Sequence, residues 1–148
     1  MPPSEPATPY TLLERLPTPE EYRRLCEAVG WGPVMNFEAA PTSLERSLYG
    51  VVALHLGQAV GMARIVGDGA IYHYLQDVVV HPDHQHRGIG RRLVAAAVAH
   101  AQAHAPDRAF LGVFAAEGTE SFYRSAGFER HDALTGMFQV VRPGPTGA

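Results

Sequence analysis

The segment Gln85-His86-Arg87-Gly88-Ile89-Gly90 carries the plainest chemical signal in the chain. It follows the valine run Val78-Val79-Val80 and opens an alanine-rich stretch with helical spacing. A helix that starts in such a loop leaves its first backbone N–H groups without internal acceptors, and those groups bind anions. Glycine at 88 and 90 lets the backbone approach a phosphate with no side chain in the way, and Arg87, Arg91 and Arg92 add positive charge. The expected ligand is therefore phosphorylated. A Walker loop would end in Gly-Lys-Ser/Thr, and a dinucleotide fingerprint would place a third glycine where Leu93 stands, so neither fits. The same glycines would also serve an ordinary strand-to-helix turn.

The string Gln85-x-x-Gly88-x-Gly90, followed by Arg91-Arg92-Leu93, resembles the acetyl-CoA signature of the GNAT superfamily of N-acetyltransferases. Further on, Ser121-Phe122-Tyr123-Arg124-Ser125-Ala126-Gly127-Phe128-Glu129 is similar to that superfamily's later motif, a tyrosine shortly before a Gly-Phe pair. The resemblance covers Tyr49 to Val141 in its order of elements and the earlier helices only in layout. It implies a single α/β (α+β) domain: a twisted mixed sheet of about six to seven strands with about four helices, splayed between the strand ending at Val80 and the one ending near Ala115. It also implies that pantetheine lies in the gap against the backbone of Val78, Val79 and Val80. The pyrophosphate would then sit on Gln85, His86, Arg87, Gly88, Ile89 and Gly90, with Arg91 alongside. One departure is visible: Ala115-Ala116-Glu117-Gly118 stands where many relatives place a cofactor-contacting asparagine.

Acetyl transfer from a thioester to an amine needs a neutral amine, a polarised carbonyl and a proton for the leaving thiolate. Tyr123 suits the last task, because a phenol with a reference pKa near 10 stays protonated at neutral pH and can supply a thiolate whose conjugate acid lies near 8.5. The resemblance puts its hydroxyl near the cofactor sulfur; a core tyrosine beside Phe122 and Phe128 is the plain alternative. For the amine proton the candidates are Tyr74, Gln76 and Asp77. Asp77 stands out as a carboxylate inside an apolar strand, a costly placement unless it is paired, at a bulge or facing a cleft. The backbone N–H of Val78 is the natural donor to the carbonyl. Trp31, Phe37 and Tyr74, with Met35 and Tyr72, are candidate walls for an acceptor pocket suited to a cation with an apolar portion, such as an arylalkylamine or a polyamine. The plain reading of each taken singly is an ordinary core residue. The run His81-x-x-His84-x-His86 lacks a second set of ligands nearby in sequence, so it reads as solvent-exposed histidines and no metal is expected.

These groups need a scaffold, and the order of elements supplies one. Tyr10 to Leu16 reads as a first strand, and Thr18-Pro19-Glu20-Glu21 as the capped start of a helix running to about Val29. A short second helix is expected from about Pro41. Three strands follow, Tyr49 to Leu56, Ala59 to Val66 and Ala70 to Val80, separated by glycine-bearing turns as an antiparallel meander. Leu93, Val94, Ala97, Val98 and Ala101 then mark a helix over roughly Gly88 to Ala105. Ala109 to Ala115 follows as a strand parallel to the one ending at Val80, by a right-handed crossover. A short helix over Thr119 to Ala126 stops at Gly127, and Phe128 to Val141 is expected to form a last pair of strands.

With 148 residues, 46% hydrophobic and 18% charged, the chain suits one globular domain, and a net charge of −3 gives no general attraction to nucleic acid. No apolar run approaches the roughly 18 residues that cross a bilayer. Residues 1–9 read as a disordered leader, 10–141 as the domain and 142–148 as a flexible tail. The single cysteine, Cys26, falls in an apolar helical pattern and reads as a small buried hydrophobe, with cytoplasmic location the default. The expected activity is transfer of acetyl from acetyl-CoA to a primary amine, with a homodimer allowed for; the competing expectation is an acyl-CoA-binding module without turnover.

Overall fold

The computed structural model describes residues 9–144. The leader expected over 1–9 lies almost entirely outside that range, as does the end of the tail. Among the described residues, five strands form one sheet in sequential order: β1 (Thr11–Leu13), β2 (Tyr49–His55), β3 (Gln58–Gly67), β4 (Tyr72–Val80) and β5 (Phe110–Val113). The first four pair antiparallel and β5 runs parallel to β4, as a meander followed by a crossover requires. Four α-helices accompany them: α1 (Pro19–Ala28), α2 (Ala40–Glu45), α3 (Ile89–His104) and α4 (Glu120–Arg124).

Local chemistry explains the boundaries. Helix α1 opens with a complete capping box: Glu21 N–H donates to Thr18 Oγ1 at 3.1 Å, and Thr18 N–H donates to Glu21 Oε1 at 2.8 Å. The β2–β3 hairpin turns on Leu56 and Gly57, both at positive φ (51° and 75°), the conformation of a tight two-residue turn. The two faces of the sheet are covered by different helices. On one, α3 buries Ile89, Leu93, Val94 and Ala97 against Val51, Ala63, Ile65 and Leu75. On the other, Tyr22, Leu25 and Cys26 of α1 and Leu44 of α2 pack on Val52, Met62 and Val79. Cys26 is fully buried, and burial pushes its thiol up to about 11, so it behaves as the buried hydrophobe expected.

Two expectations need correction. The first strand covers only Thr11–Leu13, because the chain turns at once through a bond from Arg15 N–H to Leu13 O. The last pair of strands over Phe128 to Val141 does not form, so the sheet has five strands rather than six or seven. Met137, Phe138, Val140 and Val141 are strand formers by type, yet all four are exposed. A strand is stable only with a paired edge and a covered face, and among the described residues this segment has neither, although the outer edge of β5 is free.

Candidate active site

The site is organised by an irregularity in β4. Met62 pairs with Val79 and Arg64 with Gln76, so Asp77 and Val78 together face the single residue Ala63. This is a β-bulge, and Asp77 takes a left-handed backbone there, with φ of 54°. Aspartate tolerates that region better than most residues. The bulge reverses which backbone groups face which neighbour. Tyr72 O accepts from Asp68 N–H, which directs Tyr72, Tyr74 and Gln76 toward β3. Beyond the bulge, His81 N–H donates to Val60 O, which directs Val79 toward β3 and turns the N–H and C=O of Val78 and Val80 to the opposite side.

That opposite side is a gap. Among the described residues, β5 pairs with β4 from Tyr72↔Phe110 to Leu75↔Val113, and from Gln76 to Val80 the strand has no partner on that side. The splay expected between these strands is thus present, with the backbone of Val78 and Val80 facing it.

The phosphate loop closes one end of the gap. His86 and Gly88 both take positive φ (64° and 80°), and Gly88 caps α3 in the left-handed conformation. Among the described residues, no protein acceptor meets the backbone N–H of His86, Arg87, Gly88, Ile89, Gly90 or Arg91. Unpaired donors at the start of a 16-residue helix form an anion cradle. Gln85 donates from Nε2 to Val80 O at 3.0 Å, which ties the loop to the end of β4. Gly61, opposite Val80, allows α3 to sit close: a Cβ there would lie 3.0 Å from Leu93 Cδ1 and 3.2 Å from Val79 O.

The two sequence motifs meet in space. Phe122 of α4 lies against Gly90, where an added Cβ would be 3.6 Å from Phe122 Cζ. Tyr123 next to it is half-buried, edge-on to Phe122 at 5.0 Å and to Phe128 at 5.9 Å between ring centroids. Burial raises the pKa of its hydroxyl above the ordinary phenol value. It lines a cavity of about 1210 Å³ that runs along β5, with Tyr74, Phe110 and Phe114 also on its wall.

Asp77 is not a free carboxylate. Its Oδ2 accepts from Arg64 Nε at 2.6 Å and from Tyr22 hydroxyl at 3.0 Å. Arg64 in turn donates from its NH1 to Ser47 Oγ and to Ser43 O, so the bulge is tied to both covering helices. Sequence reasoning missed Arg64 and Tyr22. The signal was available: Arg64 is a lone cation in the apolar strand that neighbours the one holding the lone anion Asp77.

The candidate acceptor walls pack on different neighbours. Trp31 and Phe37 are half-buried against the core under α1 and α2, and Phe37 carries the Arg23 guanidinium 5.1 Å from its ring. Tyr74 instead packs on Phe110 of β5, at 5.7 Å, beside the exposed Tyr72. Of the three histidines expected to be solvent-exposed, His81 and His84 are half-buried, His84 bonded to Tyr10, and His86 is exposed.

The sequence pattern of the acetyltransferase (GNAT) domain matches residues 46–130. The chain is 30% identical over 129 residues to an uncharacterized N-acetyltransferase of Pyropia yezoensis, covering 82% of this chain and 71% of the relative. Among solved structures, a GNAT-family acetyltransferase from Streptococcus pneumoniae TIGR4 is 31% identical with a TM-score of 0.76, over 91% of this chain and all (100%) of the other. A GNAT-family acetyltransferase from Brucella melitensis, in complex with acetyl-CoA, shares the fold at 22% identity with a TM-score of 0.62, over 83% and 84% of the two chains.

Proposed function

The chain belongs to the GNAT family of acetyltransferases, and from that premise we propose that it moves acetyl from acetyl-CoA directly onto a primary amine, within a ternary complex. The amine would belong to a small molecule or to a protein. The observation that carries this reading is the reversal at Asp77, which turns the backbone of Val78 and Val80 into the gap beside a loop of unpaired N–H groups. One element thus presents strand-type hydrogen bonds for pantetheine, and the next presents donors for a pyrophosphate on residues 85–91.

In this reading the Val78 N–H polarises the thioester carbonyl as the amine nitrogen attacks its carbon. The carbon–sulfur bond breaks, and the Tyr123 hydroxyl gives its proton to the departing sulfur. The raised pKa of Tyr123 suits that role, since the hydroxyl stays protonated throughout the neutral range. The amine proton passes to Asp77 Oδ1, directly or through water, because Oδ2 is committed to Arg64 and Tyr22. Trp31, Phe37 and Tyr74 would contribute walls to the acceptor pocket, and an amine carrying an apolar portion fits the aromatic Tyr72, Tyr74 and Phe110 along the sheet edge.

A homodimer is part of the proposal: the exposed apolar residues of 134–141 and the unpaired outer edge of β5 would be covered by a second copy. No helix among the described residues is long and apolar enough to cross a membrane, and the cytoplasm is the proposed location. The decisive experiment is calorimetric titration with acetyl-CoA, with ATP and NAD as controls, followed by an amine screen for release of free CoA. Saturable binding with amine-dependent release supports the enzyme; binding without release with any amine would leave an acyl-CoA-binding module; no binding by the folded protein refutes the site.

A further inference from the structure

Tyr10 lies far from the phosphate loop in sequence, yet it holds that loop at two points. Its hydroxyl is 2.9 Å from Nδ1 of His84, and its carbonyl oxygen accepts from Arg92 NH1 at 3.1 Å. Its ring is 4.9 Å from that of His55 and meets His84 edge-on at 5.6 Å, while His55 and His84 are 5.0 Å apart. Three rings from three separate segments therefore lock together under the loop. The remaining side-chain bonds of the segment are local, from Gln85 Nε2 to Val80 O and from Asp83 N–H to His81 Nδ1. Apart from the bonds within α3, the local bond from Gln85 to Val80 and the backbone bond of His81 N–H to Val60 O, the Tyr10 contacts are the hydrogen bonds that reach residues 81–92 from outside, among the described residues.

A loop with two left-handed residues, whose N–H groups from His86 to Arg91 meet no protein acceptor among the described residues, relies on few contacts to hold its shape. If it had to order on binding, the lost conformational freedom would subtract from affinity. We infer that Tyr10 is a positioning residue for the phosphate loop: its hydroxyl braces His84 and its carbonyl oxygen braces Arg92, so that the N–H groups of residues 86–91 converge before acetyl-CoA arrives. Arg92 is thereby a brace, and the charge left to face the phosphates comes from Arg87 and Arg91. The inference rests on the reading of this loop as the pyrophosphate site.

The test is a double-mutant cycle read by acetyl-CoA titration. Tyr10→Phe keeps the ring and removes the hydroxyl; His84→Phe keeps a ring and removes Nδ1. Each single variant should bind acetyl-CoA about three- to tenfold more weakly, the net worth of one hydrogen bond. The double variant should be no weaker than the worse single, since both remove the same contact. Hydrogen exchange at amides 86–91 should quicken in Tyr10→Phe while β2 and β3 exchange as before, which a general loss of stability would not produce. Unchanged affinity in Tyr10→Phe, additive losses in the double variant, or unchanged exchange at 86–91 would each overturn the inference. Should His84→Phe fail to fold, the affinity and exchange of Tyr10→Phe decide alone. If the wild type itself does not bind acetyl-CoA, the cofactor reading falls and the inference with it; if only the variants match the wild type, the inference falls alone.

Discussion

Arg64→Ala is the substitution that most directly tests why the bulge in β4 exists. The Arg64 and Asp77 side chains are only 10% and 12% exposed and meet at 2.6 Å. A left-handed non-glycine residue costs about 1–3 kcal/mol and persists only where its surroundings fix it. Here the fixing groups are Arg64 and Tyr22. Removing the cation leaves a largely buried carboxylate with the Tyr22 hydroxyl as its one remaining donor, and breaking a buried pair from one side costs about 3–5 kcal/mol. At about 2–4 °C per kcal/mol for a domain of this size, thermal unfolding should move down by roughly 6–20 °C. The acetyl-CoA affinity of the protein that remains folded should fall too, because relaxation of the bulge would turn Val78 N–H back toward β3. Combining Arg64→Met with Asp77→Gly removes both charges and puts glycine at the positive φ, so it should recover at least half of the lost melting temperature and restore acetyl-CoA binding. Turnover would stay low in that pair if Asp77 takes the amine proton. Calorimetry and a free-CoA assay on the two variants measure all of this. A melting temperature within about 2 °C of the wild type in Arg64→Ala would refute the account of the bulge.

Tyr123→Phe should lower kcat by about 10²–10⁴-fold with little change in KM for acetyl-CoA, and unchanged turnover would end the general-acid assignment. Because burial raises the hydroxyl's pKa, the acid form is lost only above the ordinary phenol value, and activity should show no Tyr123-dependent fall below about pH 10. Gly88→Ala should cost about 1–2 kcal/mol of stability because its φ is 80°, whereas Gly90→Ala finds room 3.6 Å from Phe122 and Val80 and should melt close to the wild type. Equal melting of the two in a thermal scan would contradict the left-handed cap. His84 and His100 both have pKa values lowered first by burial. The neighbours of His84 are His55, His81, Arg87 and Asp83 together with Tyr10; those of His100 are His104, His73, Glu14 and Tyr49. Each folded pKa lies below the unfolded value near 6.5, so this contribution is complete above about pH 6.5 and is lost as pH falls through the folded values. The midpoint in urea should therefore drop between about pH 7 and 5 in the wild type, and less in His100→Gln.

What could be read from the sequence was what depends on neighbours in sequence. The capping box at Thr18 and the apolar spacing of α3 needed no tertiary information, and their helices formed within a residue or two of expectation. The splay of β4 from β5 came from the family resemblance alone, since nothing in Gln76 to Val80 records the absence of a partner strand. The bulge is harder still: the lone Asp77 in a single strand allowed a bulge as one of three explanations, and the choice is made only when β3 and β4 are aligned and their lone opposite charges, Arg64 and Asp77, are seen to need one another. The segment after Phe128 failed in the opposite way: its local pattern is strand-like, but a strand is a relation between two edges, and among the described residues no second edge pairs with it. The bond between Tyr10 and His84 spans 74 positions and has no sequence signature at all. The features that set the geometry of this site, the reversed backbone at Val78 and the braced loop, are therefore long-range consequences of pairing. Local patterns named the atoms at the site, and the tertiary pairings determined which way those atoms face.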